Sequence, residues 1–580
     1  MSQPLIGAST PARRLALALV ICGALGSFGA LWWTCSRNPE VYFLPRLAPA
    51  QWITWAAVPR ATLNARVELA TVFRRSFTLD QAPRAATLSV AGLRRYALAV
   101  NGRPAPTPEQ SARTWKQPDR FDVHGELQAG TNEVAVTVWN SNGPPALWAS
   151  LDLGGRRLDS DETWQVSCAG AAWRQARLAG KPKPALAGSA AYGGEEPWAS
   201  LRTRWATLGL FAALSAAAYW LFNRLAGPAL VGSASASSVA ARLLRSDFLP
   251  VFVLGLVWVA LFVNNLGMLP NLVGYDVDSH QAYVQFIQQH HALPRADQGW
   301  EMFQPPLYYA LSAGLLDVLS LSARQDGGVM ALRVLGMVIG IAHLMLVWAC
   351  LRLVFPGERA AQRSGLVLAA AMPPLLYVSQ YVSNEGLAAA LVSACVFLTL
   401  RMIKQERLSW TSCAGLGLCL GAALLAKATA LVAVPAVLAA LLWKAWVGTA
   451  KAAGPGARLV LQLGAIVLIC AAVCGWHYGR LWAQYGSPLI GVWDPRLGFS
   501  WWQDNGYRTS GFYLRFGSVL AHPWFSSFSS FADGIYGTLW GDGLLGGGAD
   551  AVARPPWNYD LMAVGYWLAL VPTLALLVGG

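Results

Sequence analysis

Long runs of apolar residues, separated by short polar segments, make up most of the chain after residue 200. The runs over 201–222 and 248–267 contain the roughly 20 residues that a helix needs to cross a bilayer. Similar runs follow near 332–354, 365–380, 386–400, 410–426, 429–446 and 459–476, and a last one begins at residue 561. Together with an earlier run over 15–33, the pattern predicts a polytopic α-helical membrane protein with about ten spans.

Residues 35–200 follow a different pattern. Polar and apolar residues alternate in short segments such as 86–90 and 133–139, and Gly and Pro interrupt them. A period of two is typical of β-strands with one buried face. We therefore predict an extracytoplasmic all-β domain over 35–200. Residues 1–34 are predicted to be a cytoplasmic N-terminus and a retained anchor, because the first apolar run is long and no small-residue cleavage site ends it.

The composition agrees with a membrane protein and excludes a soluble globular one. Hydrophobic residues make up 55% of the chain and charged residues only 13%, whereas charged residues make up about a quarter of a soluble domain. The formal net charge of +14 comes from basic residues scattered singly between apolar runs, so it does not indicate nucleic-acid binding. No CxxC pairing indicates a zinc site among the nine cysteines.

The basic residues predict the topology, because short cytoplasmic loops collect Lys and Arg. The apolar run 307–321 is shorter than a span and carries Asp317, so we place it along the outer surface. All the basic clusters between the later spans then lie inside. This topology gives a second span and cytoplasmic loop over 201–247, a transmembrane module over 248–476, an outer loop over 477–560 and a last span over 561–580. No basic residue follows that span, and chains of the type that this one resembles usually carry further spans, so a C-terminal truncation is expected.

Three carboxylates lie on the outer face in this topology. Asp276 and Asp278 follow the span 248–267, and Glu385 lies in the turn 379–385. A carboxylate shielded by protein and lipid can be basic enough to take a proton from a hydroxyl. An alternative is that Asp276, Asp278 or Ser279 only caps the amphipathic helix predicted from residue 281 to about 290. A second surface helix is predicted to begin at Pro305 and Pro306.

This arrangement resembles the type C (GT-C) membrane glycosyltransferases, which include protein O-mannosyltransferases and lipid A aminoarabinose transferases. The resemblance covers the chain from about residue 248 onward. It is carried by Asp276 to His280, Leu293-Pro294, the run 304–309 (Gln-Pro-Pro-Leu-Tyr-Tyr), Arg333, residues 383–385 (Ser-Asn-Glu) and residues 426–429 (Ala-Lys-Ala-Thr). In this family a first-loop Asp faces the acceptor, and the sugar donor is carried on a polyprenyl phosphate or diphosphate. Val277 separates two acids that are adjacent in the usual motif, which leaves the base as Asp276 or Asp278, and we favour Asp276.

The resemblance implies an inverting transfer in which an Asp takes a proton from the acceptor hydroxyl. Asp276, Asp278 and Glu385 are the implied catalytic residues and a candidate divalent metal site. His280, Gln304, Arg333, Lys427 and His477 are the implied substrate-binding residues. The last three would neutralise the departing phosphate, although Arg333 and Lys427 at span ends also suit snorkelling towards headgroups.

The β domain resembles the galactose-binding-like jelly-roll modules of many glycoside hydrolases. The matching residues are 96–102, Asp122 ahead of 130–132, 139–148 and 161–164. Carbohydrate binding is the function that this likeness implies. The implied partners of the whole chain are a lipid-linked sugar and a glycan, lipid or protein acceptor. The implied location is the bacterial inner membrane, with the active site on the periplasmic face.

Two functions from other classes compete with the enzyme. A transporter or lipid flippase would hold charges near mid-membrane and have broken helices in repeated halves, whereas these spans are nearly free of charge. A tethered carbohydrate-binding protein would need only one or two spans. The sequence does not determine the sugar, the acceptor or the oligomeric state.

Overall fold

The computed structural model describes residues 44–55, 63–65, 69–93, 95–105, 115–140, 145–179, 201–202, 205–210, 212–214, 216–217, 248–267, 271–272, 276–405, 408–448, 457–491, 499–501, 510–521, 530–541 and 559–579, with isolated residues and pairs elsewhere between positions 26 and 497. Most of the predicted anchor 15–33, residues 221–247 and large parts of the predicted outer loop 477–560 lie outside the described residues. The chain divides into two compact units. One contains Met1–Pro184, Phe499–Phe516 and Phe528–Ala532, and the other contains the remainder.

Antiparallel β-structure makes up the first unit. Its described strands are β1 (Ile53–Thr54), β2 (Leu63–Ala65), β3 (Leu69–Leu79), β4 (Thr87–Gly92), β5 (Arg95–Val100), β6 (Arg103–Ala105), β7 (Asp119–Asp122), β8 (Gly130–Asn140), β9 (Ala146–Asp152), β10 (Arg157–Asp159), β11 (Gln165–Cys168), β12 (Arg174–Gln175), β13 (Arg177–Leu178) and β14 (Phe499–Trp501).

Two six-stranded sheets share one apolar core in this unit. One sheet has the order β13-β1-β9-β4-β7, with β10 paired to β9, and the other has the order β12-β11-β3-β8-β5-β6. Buried and less buried residues alternate along β5, and Leu88 and Leu147 of one sheet and Phe73 and Val136 of the other are buried in the same cluster. The all-β region predicted from alternation is therefore present.

A third sheet joins distant parts of the sequence. β14 pairs antiparallel with β2, with Phe499 opposite Ala65 and Trp501 opposite Leu63. This pairing places a segment of the predicted 477–560 loop in the same compact unit as the N-terminal strands.

Helices make up the second unit. They are α1 (Leu249–Leu266), α2 (Val277–His290), α3 (Leu307–Val318), α4 (Asp326–Val354), α5 (Arg359–Ala371), α6 (Pro373–Val378), α7 (Glu385–Lys404), α8 (Trp410–Ala426), α9 (Ala433–Gly448) and α10 (Ala457–Tyr485). The later helices are α11 (Ser510–Leu514), α12 (Ser518–Ala521), α13 (Phe531–Trp540), α14 (Tyr559–Leu568) and α15 (Leu570–Gly579), of which α11 and the start of α13 belong to the first unit.

Four described helices are long and apolar enough to cross a membrane: α1, α4, α7 and α10. The chain is an integral membrane protein, whereas the predicted number of about ten spans is not confirmed. At 1.5 Å per residue the 12 residues of α3 extend about 18 Å, less than the roughly 30 Å of a bilayer core. This length agrees with the prediction that 307–321 does not span.

Two predicted span boundaries were wrong. The run 365–380 is divided between α5 and α6, because Pro373 and Pro374 lack the N–H groups that would continue the helix. The run 459–476 belongs to a longer helix, since α10 continues to Tyr485. Residues 477–485 are therefore helical and do not begin a loop.

Helices α8 and α10 pack closely through two glycines. Gly417 and Gly421 are four residues apart and so lie on the same face of α8, the spacing of the GxxxG motif. A β carbon at 417 would lie 2.8 Å from the Ile466 carbonyl oxygen. The absence of side chains at these positions lets the two helix backbones approach.

We expect Gly421→Val to lower the free energy of unfolding by about 1–3 kcal/mol, the usual effect of overpacking. A β carbon at 421 would lie 2.6 Å from Val473 Cβ and 3.0 Å from the Cys470 carbonyl oxygen. Thermal unfolding of the detergent-solubilised protein, followed by circular dichroism, measures the effect. Gly415→Val is the matched control, because a β carbon at 415 meets nothing within 4 Å. Equal melting temperatures for the two variants would contradict this packing.

Candidate active site at the start of helix α2

Asp276 occupies the N-cap position of α2 but does not act as a cap. Its backbone is left-handed, with φ 53° and ψ 23°, and its side chain makes no capping hydrogen bond to the helix. Its Oδ1 instead accepts a hydrogen bond of 3.2 Å from the indole Nε1 of Trp300. The alternative that Asp276 serves only as a cap is therefore not supported, because its carboxylate is directed to another segment of the chain.

The chain before Asp276 is fixed by close packing. Gly274 has φ +126°, and a β carbon there would lie 2.6 Å from Val277 Cγ2 and 2.7 Å from Tyr381 Cγ. Val277, which separates the two aspartates, is buried in the cluster that includes Tyr381. The break in the expected acidic doublet therefore has a structural cause, since the residue between the acids anchors α2 to the core.

Asp278 points away from Asp276. Its Oδ1 is 3.0 Å from Nη1 of Arg324, and both side chains are exposed. Exposed ion pairs of this kind contribute at most about 1 kcal/mol to stability. The structure thus separates the two candidate bases, and Asp278 has the ordinary environment of a surface carboxylate.

Glu385 and Lys427 form an ion pair, and the charge of Lys427 also acts on Asp276. We call Asp276, Glu301, Glu385 and Lys427 the rim cluster. Lys427 Nζ lies 2.6 Å from Glu385 Oε1, and the lysine side chain is only 16% exposed. Glu385 begins α7, and Lys427 directly follows the last residue of α8. Asn384 Nδ2 donates a 3.1 Å hydrogen bond to the carbonyl oxygen of Ala426, which holds these two helix ends together.

Glu301 is the fourth ionisable group of the rim cluster, and it was not among the predicted site residues. It lies in the turn between α2 and α3, next to Trp300, and its side chain is only 6% exposed. Burial is the main cause that raises the pKa of Glu301, to about 7, and the charges of Asp276 and Glu385 add to the effect. A hydrogen bond from the Gln304 side chain and the charge of Lys427 oppose it. The sequence signal was an acid three residues before Gln304, flanked by Trp300 and Met302.

The same surroundings affect Asp276. Although part of its side chain is exposed, burial of the carboxylate raises its pKa, while the Trp300 hydrogen bond and the charge of Lys427 oppose the shift. A carboxylate with a raised pKa is a better proton acceptor near neutral pH. The direction of this shift is the one that the predicted base role of Asp276 requires.

His280 and Gln304, both predicted to bind substrate, are buried beside this rim. His280 Nδ1 is 2.8 Å from the Tyr309 hydroxyl, and burial followed by the charge of Lys427 lowers the pKa of His280 to about 3. The imidazole is therefore neutral. Tyr309 also stacks on Tyr283, with ring centroids 3.9 Å apart. His280 thus belongs to an aromatic wall behind Asp276, while Gln304 contacts Glu301.

Arg333 and His477, two of the cations predicted to neutralise the phosphate, are not exposed at this rim. Arg333 lies in the second turn of α4, and its Nη1 donates a 3.1 Å hydrogen bond to the carbonyl oxygen of Leu269. His477 lies inside α10, and neither of its ring nitrogens has a hydrogen-bond partner among the described residues. Both predictions assumed that these side chains face outward, but the helices turn them into the protein interior.

The predicted metal site does not form from the three acids proposed for it. Asp276 faces Trp300, Asp278 pairs with Arg324 and Glu385 pairs with Lys427. Among the residues that the structure describes, no group of three His, Cys, Asp or Glu side chains is placed to hold a metal ion. The side chains of Asp276, Asp278 and Glu385 therefore do not fit a shared divalent cation.

Part of the helical region is similar to a known family. Residues 304–476 match the family described as Dolichyl-phosphate-mannose-protein mannosyltransferase. The matched segment begins at Gln304 and includes Glu385 and Lys427, whereas Asp276 and Glu301 precede it. The match confirms the resemblance to GT-C glycosyltransferases and indicates a glycosyltransferase.

The N-terminal β region is similar to part of a different enzyme. The chain is 26% identical over 185 residues to an alpha-L-rhamnosidase of Streptomyces avermitilis, and the alignment covers 30% of this chain. The chain spans only 18% of that rhamnosidase.

Two solved membrane structures have weak similarity to the chain. The protein O-mannosyltransferase Pmt1-Pmt2 complex of S. cerevisiae bound to the sugar donor has 15% identity and a TM-score of 0.33, covering 42% of this chain and 34% of that one. ArnT from Cupriavidus metallidurans bound to undecaprenyl phosphate has 17% identity and a TM-score of 0.32, covering 42% and 43%.

The left-handed backbone of Asp276 gives a test of strain at this site. We expect Asp276→Gly to be about 1 kcal/mol more stable than Asp276→Ala, because that conformation costs an L-residue roughly 1–2 kcal/mol and Gly almost nothing. Both variants remove the same carboxylate, so each controls for the charge in the other. Thermal unfolding in detergent measures the difference. A more stable Ala variant would contradict the left-handed conformation.

Proposed function

We propose that the protein is a membrane glycosyltransferase that moves a sugar from a polyprenyl-phosphate-linked donor to an acceptor hydroxyl, with inversion at the anomeric carbon. The observation that carries the proposal is the Asp276 carboxylate, which faces the rim cluster instead of capping its own helix. The match over 304–476 supports it, because that family's name states a polyprenyl-phosphate-linked sugar as donor.

In the proposed reaction, Asp276 accepts the proton of the acceptor hydroxyl as its oxygen attacks the anomeric carbon. A bond forms between this oxygen and the anomeric carbon, and the bond from that carbon to the phosphate oxygen breaks. The lipid phosphate leaves with the electron pair. Asp276 suits this role because burial raises its pKa while the Trp300 hydrogen bond fixes its carboxylate.

Lys427 is the proposed cation for the departing phosphate. Its charge acts on Asp276, Glu301 and His280, so it lies close to the reacting carboxylate. The Glu385 carboxylate lies 2.6 Å from its ammonium group and fixes its position. A preorganised cation stabilises charge that develops on the leaving oxygen. In this assignment Glu385 positions Lys427 and takes no proton.

An apolar cavity supports a lipid carrier. It has a volume of about 350 Å³ and lies among α8, α9, α10 and the 3₁₀ turn Ala428–Val432. Its lining includes Leu420, Leu424, Leu431, Ile466, Cys470 and Leu489. Leu424 and Leu431 lie three and four residues from Lys427 along the chain. We propose that isoprene units of the donor enter this cavity while the phosphate meets Lys427.

We further propose that the site faces the periplasm from a bacterial inner membrane, as the distribution of basic residues predicts. The β unit, which the predicted topology also places on the extracytoplasmic side, is proposed to hold a glycan acceptor. The likeness of this chain's N-terminal β region to part of a rhamnosidase supports this role.

We expect Asp276→Asn to reduce transfer by about 10²–10⁴-fold, the usual contribution of a general base. Transfer from radiolabelled polyprenyl-phosphate sugars is measured in proteoliposomes. Asp278→Asn is the matched control and is expected to stay within about fivefold of the parent, because its exposed ion pair is worth at most about 1 kcal/mol.

Full activity of Asp276→Asn would contradict Asp276 as the general base. Loss of activity only in Asp278→Asn would assign the base to Asp278 instead. A parent protein that transfers no sugar but moves a lipid-linked sugar across the bilayer would favour the flippase alternative.

We expect the detergent-solubilised full-length protein to bind glycans on an array through its β unit, with competition by free oligosaccharide. A protein whose β-strand circular dichroism is intact but which binds no glycan would contradict the acceptor-holding role and leave the catalytic proposal untouched.

A further inference from the structure

The rim cluster contains more acidic than basic groups. Asp276, Glu301 and Glu385 provide three carboxyl groups, and Lys427 provides one ammonium group. If all were ionised, their net charge would be −2 before an anionic donor arrived. Each further ionised carboxyl group repels a lipid phosphate more strongly, so the protonation state of these acids affects how well an anionic donor binds.

Of the three carboxyl groups, Glu301 lies in the surroundings that stabilise a negative charge least. Its side chain is nearly inaccessible to water, and the neutral Gln304 side chain is its hydrogen-bond donor. Lys427, the cation that acts on it, is already paired with Glu385 at 2.6 Å. Asp276, in contrast, has a partly exposed carboxylate and the Trp300 indole as a donor.

The other titratable groups around Glu301 do not compensate for its charge. His280 of α2 is neutral because burial and Lys427 lower its pKa to about 3. Tyr309 of α3 is neutral because burial raises its pKa well above 10. Glu385 at the start of α7 adds negative charge, and so does Asp276 at the start of α2.

We propose that Glu301 is a positioning residue that keeps its proton while Asp276 is ionised, so that the two carboxyl groups carry one negative charge when an anionic donor binds. The inference rests on the proposed function for its donor, but the protonation of Glu301 can be measured without one. Two adjacent carboxyl groups lose their protons in separate steps, and the better solvated group ionises first.

This arrangement predicts how donor binding depends on pH. Because the pKa of Glu301 is raised to about 7, its ionisation above that pH adds a second charge to the pair. The donor KM of the parent should then rise, approaching about tenfold per pH unit if only the protonated form binds. Below pH 7 the donor KM should change little.

The decisive variant is Glu301→Gln, which has nearly the same shape and stays neutral at every pH. We expect it to transfer sugar at pH 6.5 within a few-fold of the parent and to keep a constant donor KM from pH 6.5 to 8.5. Asp297→Asn is the control, because Asp297 lies on the same loop but is exposed and bonded to Arg295 and Tyr485. The control should show the same rise in KM as the parent.

Two results would overturn the proposal. A folded Glu301→Gln protein that is inactive at pH 6.5 would show that Glu301 must ionise to function. A Glu301→Gln protein whose donor KM still rises above pH 7 would assign that rise to another group.

Thermal stability provides a readout that needs no substrate. Glu301 ionises in the unfolded chain near pH 4.5 but in the folded protein near pH 7, so the folded state binds one more proton between these values. The melting temperature of the parent relative to Glu301→Gln should therefore fall from pH 4.5 to 7 and stay level above. A constant difference would overturn the proposal even if transfer is observed. The predicted fall without any transfer would sustain the protonation of Glu301 while the proposed function fails.

Discussion

The hydration of ionised carboxyl groups is the constraint on which the candidate site depends. An ion withdrawn from water costs several kcal/mol unless a charge or a hydrogen bond replaces the lost solvent. The rim meets this cost differently at each acid: Glu385 has an ammonium group at 2.6 Å, Asp276 has an indole donor, and Glu301 is proposed to remain neutral. Three carboxyl groups thereby differ in protonation although they lie close together. In the proposed assignment Asp276 is the base, Glu385 positions Lys427 and Glu301 stays neutral.

The backbone supports this arrangement at two places. The left-handed residue at the start of α2 directs its carboxylate towards the following loop, and close packing of Gly274 against Tyr381 fixes the chain before it. On the opposite side, the amide of Asn384 joins the end of α8 to the beginning of α7. Strained conformations of this kind persist only where the surrounding structure enforces them, and they concentrate at functional sites.

Much of the fold follows from the sequence, whereas the site follows only in part. Apolar runs gave the long helices and alternation gave the β region, because both depend on local periodicity. Asp276 could be selected because it follows a span and matches a family motif. Glu301 was missed because its importance comes from burial, which depends on contacts distant in sequence. Arg333 and His477 were predicted to face outward but are buried, because a residue near a span end can face either way around its helix and packing decides which. The adjacent prolines 373 and 374 already indicate in the sequence that the run 365–380 does not form one continuous helix.

The pairing of β2 with β14 has a consequence for membrane topology. Residues 63–65 and 499–501 can form one sheet only if they lie in the same compartment, so the chain between them must cross the bilayer an even number of times. This parity is met by the eight crossings predicted between them, over 201–222, 248–267, 332–354, 365–380, 386–400, 410–426, 429–446 and 459–476. Counting α3 as a further crossing would make nine and would send the two strands to opposite compartments. A three-residue β-ladder thus constrains the path of more than 400 residues between its strands.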